Sequence, residues 1–338
     1  MPDSHHFHLN KTAPQQLYED GSRIDINQKV FSKLSGMAIS YLTLKARGMR
    51  EPHWHPNANE LGYCLEGRAL MTIFSPGAAH DTFIIEPGTL SFVPKGYLHH
   101  LQNLGNTPLK MLLCFNHEMP EDLNLSSTLE MIPPSALGST FSLDPEFFKK
   151  LQPSLKPVFI SKFTQDVSLE PAWQNNRFKM NLKGIQPQIK NKGGSVSLNN
   201  QSLMPTLEGL TMYSLELEPK GVREPHWHPN AHELNYLING RARIALLSPG
   251  EKIDSFEMEA GDISFLPKGY YHYIENIGDI PLQFAIFFNH SMPSDLGLSG
   301  ALGAYSNELL ASIFKVDPSY FSPLPKYQED LFVVAGGG

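Results

Sequence analysis

Two stretches of this chain carry histidines at the spacing of metal ligands on a β-strand: His53 with His55, and His226 with His228. Side chains of a strand alternate between faces, so residues i and i+2 project together while Trp54 or Trp227 between them projects the other way. A carboxylate follows five residues on, Glu60 or Glu233, after a Pro-Asn turn, and a third imidazole, His99 or His272, arrives from a more distant segment. Three neutral imidazoles and one carboxylate suit a divalent first-row ion; the hard oxygen donor tilts the choice toward Mn or Fe over Ni or Zn. Four protein ligands leave two positions of an octahedron open for substrate or O2. A lone inward histidine is usually a satisfied core residue, but the joint recurrence of all four ligand types excludes that reading here. His5, His6 and His8, in a polar terminus, read as solvated tail. His117 and His290, each in an FNH stretch, read as structural or lid residues.

The elements that must position these ligands come from a duplication. REPHWHPNA at Arg50–Ala58 recurs at Arg223–Ala231, and the same offset pairs Glu60 with Glu233, Gly67 with Gly240, Gly88 with Gly261, His99 with His272 and Asn103 with Asn276. The register holds without insertion from Leu34 to Pro145, so the halves are two copies of one fold. Each copy contains short apolar or alternating runs, such as ALMTIF (69–74), LSFVP (90–94) and LKMLLCF (109–115), separated by SPG, EPG, PKG and LGN turns. Strands so spaced predict a barrel or sandwich. Helices are expected only after the strands, in EFFKKL with Asp144 as N-cap and in SNELLASIF. The two domains are expected at 1–166 and 167–338, joined through the Pro-bearing stretch Gln152–Asn176, with an arm before each barrel in which FHLN (from Phe7) rhymes with FKMN (from Phe178).

Composition narrows the partners. With 41% hydrophobic and 18% charged residues and a net charge of -7, nothing steers the chain toward nucleic acid or an anionic membrane. Two cysteines, Cys64 and Cys114, exclude a disulfide framework. The opening residues lack a basic start with an apolar run, and no window approaches the ~18 apolar residues of a membrane span. A cytoplasmic protein is therefore expected.

GMREPHWHPNANELGYCLEG (48–67) and GTLSFVPKGYLHHLQN (88–103) resemble the two motifs of the cupin family, G(X)5HXH(X)3-4E(X)6G and G(X)5PXG(X)2H(X)3N. The second matches at every specified position in both halves; the first has four residues rather than five after Gly48 or Gly221. The resemblance implies an all-β protein of two tandem jelly-roll barrels with short peripheral helices. Two barrels with the RExHWH stretch are similar to the oxalate decarboxylase type of bicupin rather than to the plant storage type, whose ligand histidines are largely lost.

That resemblance implies an Mn-dependent, O2-requiring cleavage of oxalate to formate and CO2. Arg50 and Arg223 match the family's substrate-binding arginines, and a guanidinium can clamp a carboxylate through two parallel hydrogen bonds. The family's proton-transfer glutamate sits in a lid with a Ser-Glu-Asn-Ser stretch. Here the matching lid reads EDLN, placing Asp122 at that position with Glu121 beside it, and the second copy offers Asp295 in SDLG. Pro120 and Pro293 stiffen these lids, and Ile286 stands where the family often has a glutamate in the C-terminal site. A lid that fails to protonate the intermediate leaves it to oxygen, which favours oxalate oxidation to CO2 and peroxide. Three classes follow: an oxalate decarboxylase or oxidase; a metal-dependent dioxygenase or isomerase acting on another small carboxylate; and a non-catalytic metal or small-ligand binding protein. Outward-facing Trp54 and Trp227 suggest a homo-oligomer. The second barrel is expected to be the more polar at one inward position and the bulkier at another, with Asn235 and Leu237 replacing Gly62 and Cys64.

Overall fold

Apolar runs broken by turn residues give the strands inward faces that close on one another, and Thr89–Val93 and Asp262–Leu266 are buried along their whole length. The computed structural model describes residues 4–150, 159–164, 176–326 and 329–336. It contains two compact units, one of residues 13–184 with 204–206 and the other of residues 1–12, 185–203 and 207–338.

In the N-terminal unit, one antiparallel sheet runs in the order Lys179–Asn181, Thr89–Val93, Glu60–Glu66, Leu109–Phe115, Ala38–Leu44, Gly21–Ile26, Gln16–Tyr18. The other runs Leu123–Asn124, Gly48–Trp54, Leu98–Asn103, Ala69–Ser75, Ala79–Ile85, with Ile160–Lys162 also paired to Gly48–Trp54. The C-terminal unit repeats both sheets, His6–His8 through Asp262–Leu266, Glu233–Asn239, Leu282–Phe288, Thr211–Leu217 and Gly194–Asn199 to Ile189–Asn191, and Leu296–Gly297 through Val222–Trp227, Tyr271–Asn276 and Arg241–Ser248 to Lys252–Glu259. The inward faces form a separate core in each unit, around Phe83, Met111 and Phe115 in one and Ile244, Phe284 and Phe288 in the other. The strands expected at 69–74, 90–94 and 109–115 lie at Ala69–Ser75, Thr89–Val93 and Leu109–Phe115.

Both expected helices are present. Asp144 accepts from the Glu146 N–H ahead of Pro145–Lys149, and Ser306 accepts from Leu309 N–H ahead of Asn307–Phe314. Three more, Leu125–Met131, Pro134–Phe141 and Leu298–Ala304, lie between the last strands and these helices. Each is one or two turns long, too short for a helical stripe to be legible.

The division at 166/167 falls outside the described residues, as does most of the connection Gln152–Asn176. The units differ from that division at their edges, because the open edge of each large sheet takes its last strand from a remote segment. His6–His8 pairs with Asp262–Leu266, and Lys179–Asn181 pairs with Thr89–Val93. The arms are thus equivalent, but the ladder sets Phe7 opposite Ile263 and Met180 opposite Leu90, so Phe7 corresponds to Met180 rather than to Phe178. Trp54 and Trp227 are half-buried, not laid bare: their strands pair with Leu123 and Leu296, and the Trp227 ring packs 6.2 Å from that of Tyr271.

His5, His6 and His8 are not a solvated tail. Edge pairing buries His5 to 7% exposure, its Nδ1 lies 3.0 Å from Asp254 Oδ2, and His6 and His8 both meet Asp262. The strand that receives them is some 250 residues away, beyond the reach of any local pattern. His117 and His290 match their structural reading, each accepting a loop N–H through Nδ1, from Met119 and Met292 at 3.0 Å.

Candidate metal centres

The strand Gly48–Trp54 carries Arg50, His53 and, just beyond its end, His55. Its register with Leu98–Asn103 shifts between the His53–His99 and Arg50–Leu101 pairs. That β-bulge lets Arg50 and His53, three residues apart, serve one interior, where regular alternation would send them to opposite faces. The C-terminal unit repeats it between Arg223–Ile274 and His226–His272.

All eight expected ligands converge into two buried groups, His53, His55, Glu60, His99 and His226, His228, Glu233, His272, with ligand atoms within 4.8 Å of one another. His55 Nε2 lies 2.9 Å and His99 Nε2 3.6 Å from Glu60 Oε2; His228 and His272 Nε2 lie 2.8 and 3.2 Å from Glu233 Oε2. Donors about 2.1 Å from a shared ion and at right angles stand about 3 Å apart, so the spacing fits a metal. Tautomers fit as well. Every ligand ring offers Nδ1 to a main-chain carbonyl: His53 to Glu51, His55 to Glu121, His99 to Tyr97, His226 to Glu224, His228 to Ser294 and His272 to Tyr270, at 2.7 to 3.0 Å. Donation at Nδ1 leaves Nε2 as the ligand in all six.

Electrostatics agree. Burial, and then the Arg50 or Arg223 charge, hold His53 and His226 well below the ordinary histidine range, so both are neutral. Burial works against ionised Glu60, yet hydrogen bonds from His55 and His99 hold its carboxyl well below the usual range. Against burial, Asp122 and Glu60 push His55 up to about 9. The point between His55 and Glu60 thus draws positive charge.

The lid brings one of its two acidic candidates into the N-terminal site. Asp122 lies 2.7 Å from Arg23 Nη1, 3.5 Å from Arg50 Nη2 and 2.8 Å from His55 Nδ1. Although burial opposes it, Arg23, His55 and Arg50 hold Asp122 well below the usual carboxylate range. Glu121 is exposed and serves through its main chain, accepting from His55 and donating to Asn57 Oδ1. In the second site Asp295 pairs with Arg223 and lies 3.7 Å from His228 Nδ1. Ile286 is buried there and lines the cavity, as its inward position requires.

Arg23 was not expected. It stands on Gly21–Ile26, is 4% exposed, and reaches Asp25 Oδ1 at 2.7 Å as well as Asp122. Ser40 completes this polar cluster by donating to Asp25. At the same offset the second copy has Val196, Leu198 and Tyr213, all packed on its apolar core. Carrying the repeat register back from Leu34 to Gly21 exposes this contrast in the sequence. Glu51 was also overlooked: it accepts from Phe159 and Ser126 N–H, docking the segment whose Phe159 ring lies 4.1 Å from the Arg50 guanidinium. Glu224, Phe332 and Ser299 repeat this around Arg223.

The two interiors differ accordingly. The N-terminal cavity is lined by Arg23, Arg50, His53, Glu60, Ser91 and His99 among apolar side chains. Among the described residues, Arg50 Nε and Nη2 and Ser91 Oγ have no hydrogen-bond partner there. The C-terminal cavity is smaller, with Val196, Tyr213, Ile286 and Phe288 around Arg223 and the ligands. Asn235 is buried beside the ligands, donating to Glu233 Oε1 at 2.7 Å and Ser264 Oγ at 3.2 Å, where the first barrel has Gly62 and no such donor. A side chain at Gly62 would meet Ser91 Oγ at 2.5 Å.

Comparison with known proteins agrees with this geometry. Residues 7–149 and 180–320 each match the cupin family model. The chain is 28% identical over 270 residues to the oxalate decarboxylase OxdC of Bacillus subtilis, covering 78% of this chain and 70% of the relative. It is 24% identical over 332 residues to a probable oxalate decarboxylase of Arthroderma benhamiae, covering 96% and 81%. Among solved structures, oxalate decarboxylase from Bacillus subtilis at pH 4.6 superposes with a TM-score of 0.88 at 25% identity, over 98% of this chain and 87% of that one. Another, of the same enzyme in work on its Mn(II) centres, gives 0.88 at 24% identity over 98% and 89%. Two motif-bearing barrels, matched along most of their length, make this chain a member of the cupin family, a bicupin similar to the oxalate decarboxylases.

Proposed function

We propose that the chain is an Mn-dependent enzyme that cleaves oxalate to formate and CO2, and that turnover takes place in the N-terminal barrel. The observation that carries this reading is the pair of buried arginines on one cavity. Arg50 presents Nε and Nη2 without hydrogen-bond partners among the described residues, beside the ligand His53 and 3.5 Å from the Asp122 carboxylate that Arg23 also holds. Buried unpaired guanidinium donors are costly, and a small carboxylate substrate satisfies them. Similarity to oxalate decarboxylases supports oxalate as that carboxylate.

Mn2+ held by His53, His55, Glu60 and His99 would supply Lewis-acid polarisation of the substrate carboxylate and a one-electron partner for O2. The chain's own residues do the rest. Arg50 binds and orients the far carboxylate. The apolar wall of Leu42, Met71, Leu101, Met111 and Leu113 excludes water. Asp122, held ionised, accepts the proton of the bound hydrogen oxalate. Cleavage of the C–C bond releases CO2 and leaves the electron pair on the remaining carbon, which takes that proton back from Asp122 as formate.

One observation favours a second reading. Tied to Arg23 and held strongly ionised, Asp122 is a reluctant proton donor, and an intermediate left unprotonated would pass its electrons to O2, giving two CO2 and peroxide. Incubating Mn-loaded protein with oxalate while following formate, CO2 and peroxide separates the two. Formate without peroxide supports decarboxylation, CO2 with peroxide supports the oxidase, and no turnover with both sites loaded contradicts oxalate as the substrate. We also propose self-association, supported by the exposed Phe141, Phe147, Ile313 and Phe314 on the peripheral helices; light scattering that gives a monomer contradicts it.

A further inference from the structure

Away from both barrel interiors, the arm strand His6–His8 lies antiparallel to Asp262–Leu266 with His8 directly opposite Asp262. His6 and His8 are two residues apart and share a face, and both rings turn onto one carboxylate. His6 Nε2 lies 2.9 Å from Asp262 Oδ2 and His8 Nδ1 3.0 Å from Oδ1. Asp262 is held from behind by the Glu259 N–H, 3.0 Å from Oδ2, and the His6 ring is stacked on Phe256 at 5.2 Å. The side chains of His6 and Asp262 are 9% and 6% exposed, whereas that of His8 is 47% exposed, so the cluster is walled on one side and open to water on the other.

We propose that His6, His8 and Asp262 form a third metal site, for a borderline divalent ion of the Zn2+ class, which fastens the arm to the C-terminal unit. The donor atoms of all three lie within 4.8 Å of one another, as they do in each barrel site. Their separations, 2.9 and 3.0 Å, match the 2.8 to 3.6 Å by which the barrel histidines stand from Glu60 and Glu233. Two imidazoles and one carboxylate with a fourth position open to water suit tetrahedral Zn2+ better than an ion demanding six hard oxygens. The other copy shows that the fold does not require this trio. There Lys179 and Asn181 pair with Ser91 and Thr89, in the same register and with the strand still docked, and none of the three equivalent positions is a metal ligand of this kind.

The test uses full-length protein with both barrel sites loaded with Mn2+, dialysed against micromolar Zn2+ and analysed for both metals. One Zn per chain beyond two Mn is expected. A triple variant, His6→Lys with His8→Asn and Asp262→Thr, carries the other copy's residues at the same register; it should lose the Zn and keep both Mn. Asp262→Asn, which preserves the bulk of the side chain, should weaken Zn2+ binding by at least about tenfold. Zn2+ should also slow tryptic cleavage after Lys11 in the wild type and leave the triple variant unaffected. Equal Zn content in wild type and triple variant overturns the proposal, as does Zn uptake matched by loss of Mn. A Zn-independent rate of cleavage at Lys11 overturns the fastening role.

Discussion

The two barrels hold the same four ligands in the same tautomers, yet their interiors follow opposite strategies. The first surrounds its site with charge: Arg23, Asp25 and Ser40 on one strand pair support Asp122, and among the described residues Arg50 keeps Nε and Nη2 without a hydrogen bond, Nη2 standing 3.5 Å from Asp122. The second replaces that cluster with Val196, Leu198 and Tyr213, pairs Arg223 with Asp295, and inserts Asn235 beside the metal carboxylate. Burying a charged cluster costs free energy, and packed apolar groups of similar volume are often the more stable choice. The first barrel therefore retains a feature that stability alone does not favour. The comparison teaches that duplication can preserve a metal site by its ligands while the surrounding wall decides whether anything else can bind there.

Several changes would break or sharpen this contrast. Arg50→Ala should have the largest effect, lowering kcat/KM for oxalate by about a hundredfold to a thousandfold through loss of charge-assisted hydrogen bonds, with Mn content unchanged; loss of Mn would make Arg50 structural. Arg223→Ala should leave the steady-state rate within about threefold, since a surplus of that size is under about 1 kcal/mol. Converting the first wall toward the second, Arg23→Val with Asp25→Leu so that Asp25 is not orphaned, leaves Asp122 to Arg50 and His55 and should raise KM for oxalate about tenfold or more with the barrel intact, one charge-assisted contact being lost. Asn235→Gly removes the hydrogen bond to Glu233 and should weaken the C-terminal metal site about tenfold while sparing the N-terminal one, read by metal competition. The smallest effect concerns Cys64, the counterpart of Leu237. Burial pushes its thiol up to about 12, so alkylation of native protein at pH 8 should be negligible for Cys64 and for equally buried Cys114, and become complete on unfolding.

Much of this was legible in the letters. The ligands announce themselves because strand alternation and a fixed turn force HxH, Glu and a distal His into one interior, and the repeat removes chance. Arg50, three residues before His53, and Asp122, in the stretch after Phe115 that matches the family's lid, could be placed only through the resemblance to the oxalate decarboxylase type of bicupin. Asp122 and Glu121 could not be told apart until the lid's path put one carboxylate on Arg23 and left the other in solvent. Arg23 escaped because a charged residue on a strand reads as outward-facing unless its partners, Asp25 and the remote Asp122, are known. The arm histidines escaped for a related reason: nothing near them in sequence signals that their strand joins a sheet edge formed by Asp262–Leu266. Local chemistry is visible locally, whereas edge pairing and buried ion pairs are set by segments far apart in the chain.

The central claim, two metal sites of which one turns over oxalate, is tested most directly by paired ligand variants assayed side by side for metal and rate. His53→Ala should abolish turnover and reduce the barrel Mn from two to one. His226→Ala should also lose one Mn, yet retain turnover at the N-terminal site when the protein remains folded by circular dichroism. Activity that survives His53→Ala and disappears in folded His226→Ala would contradict the account.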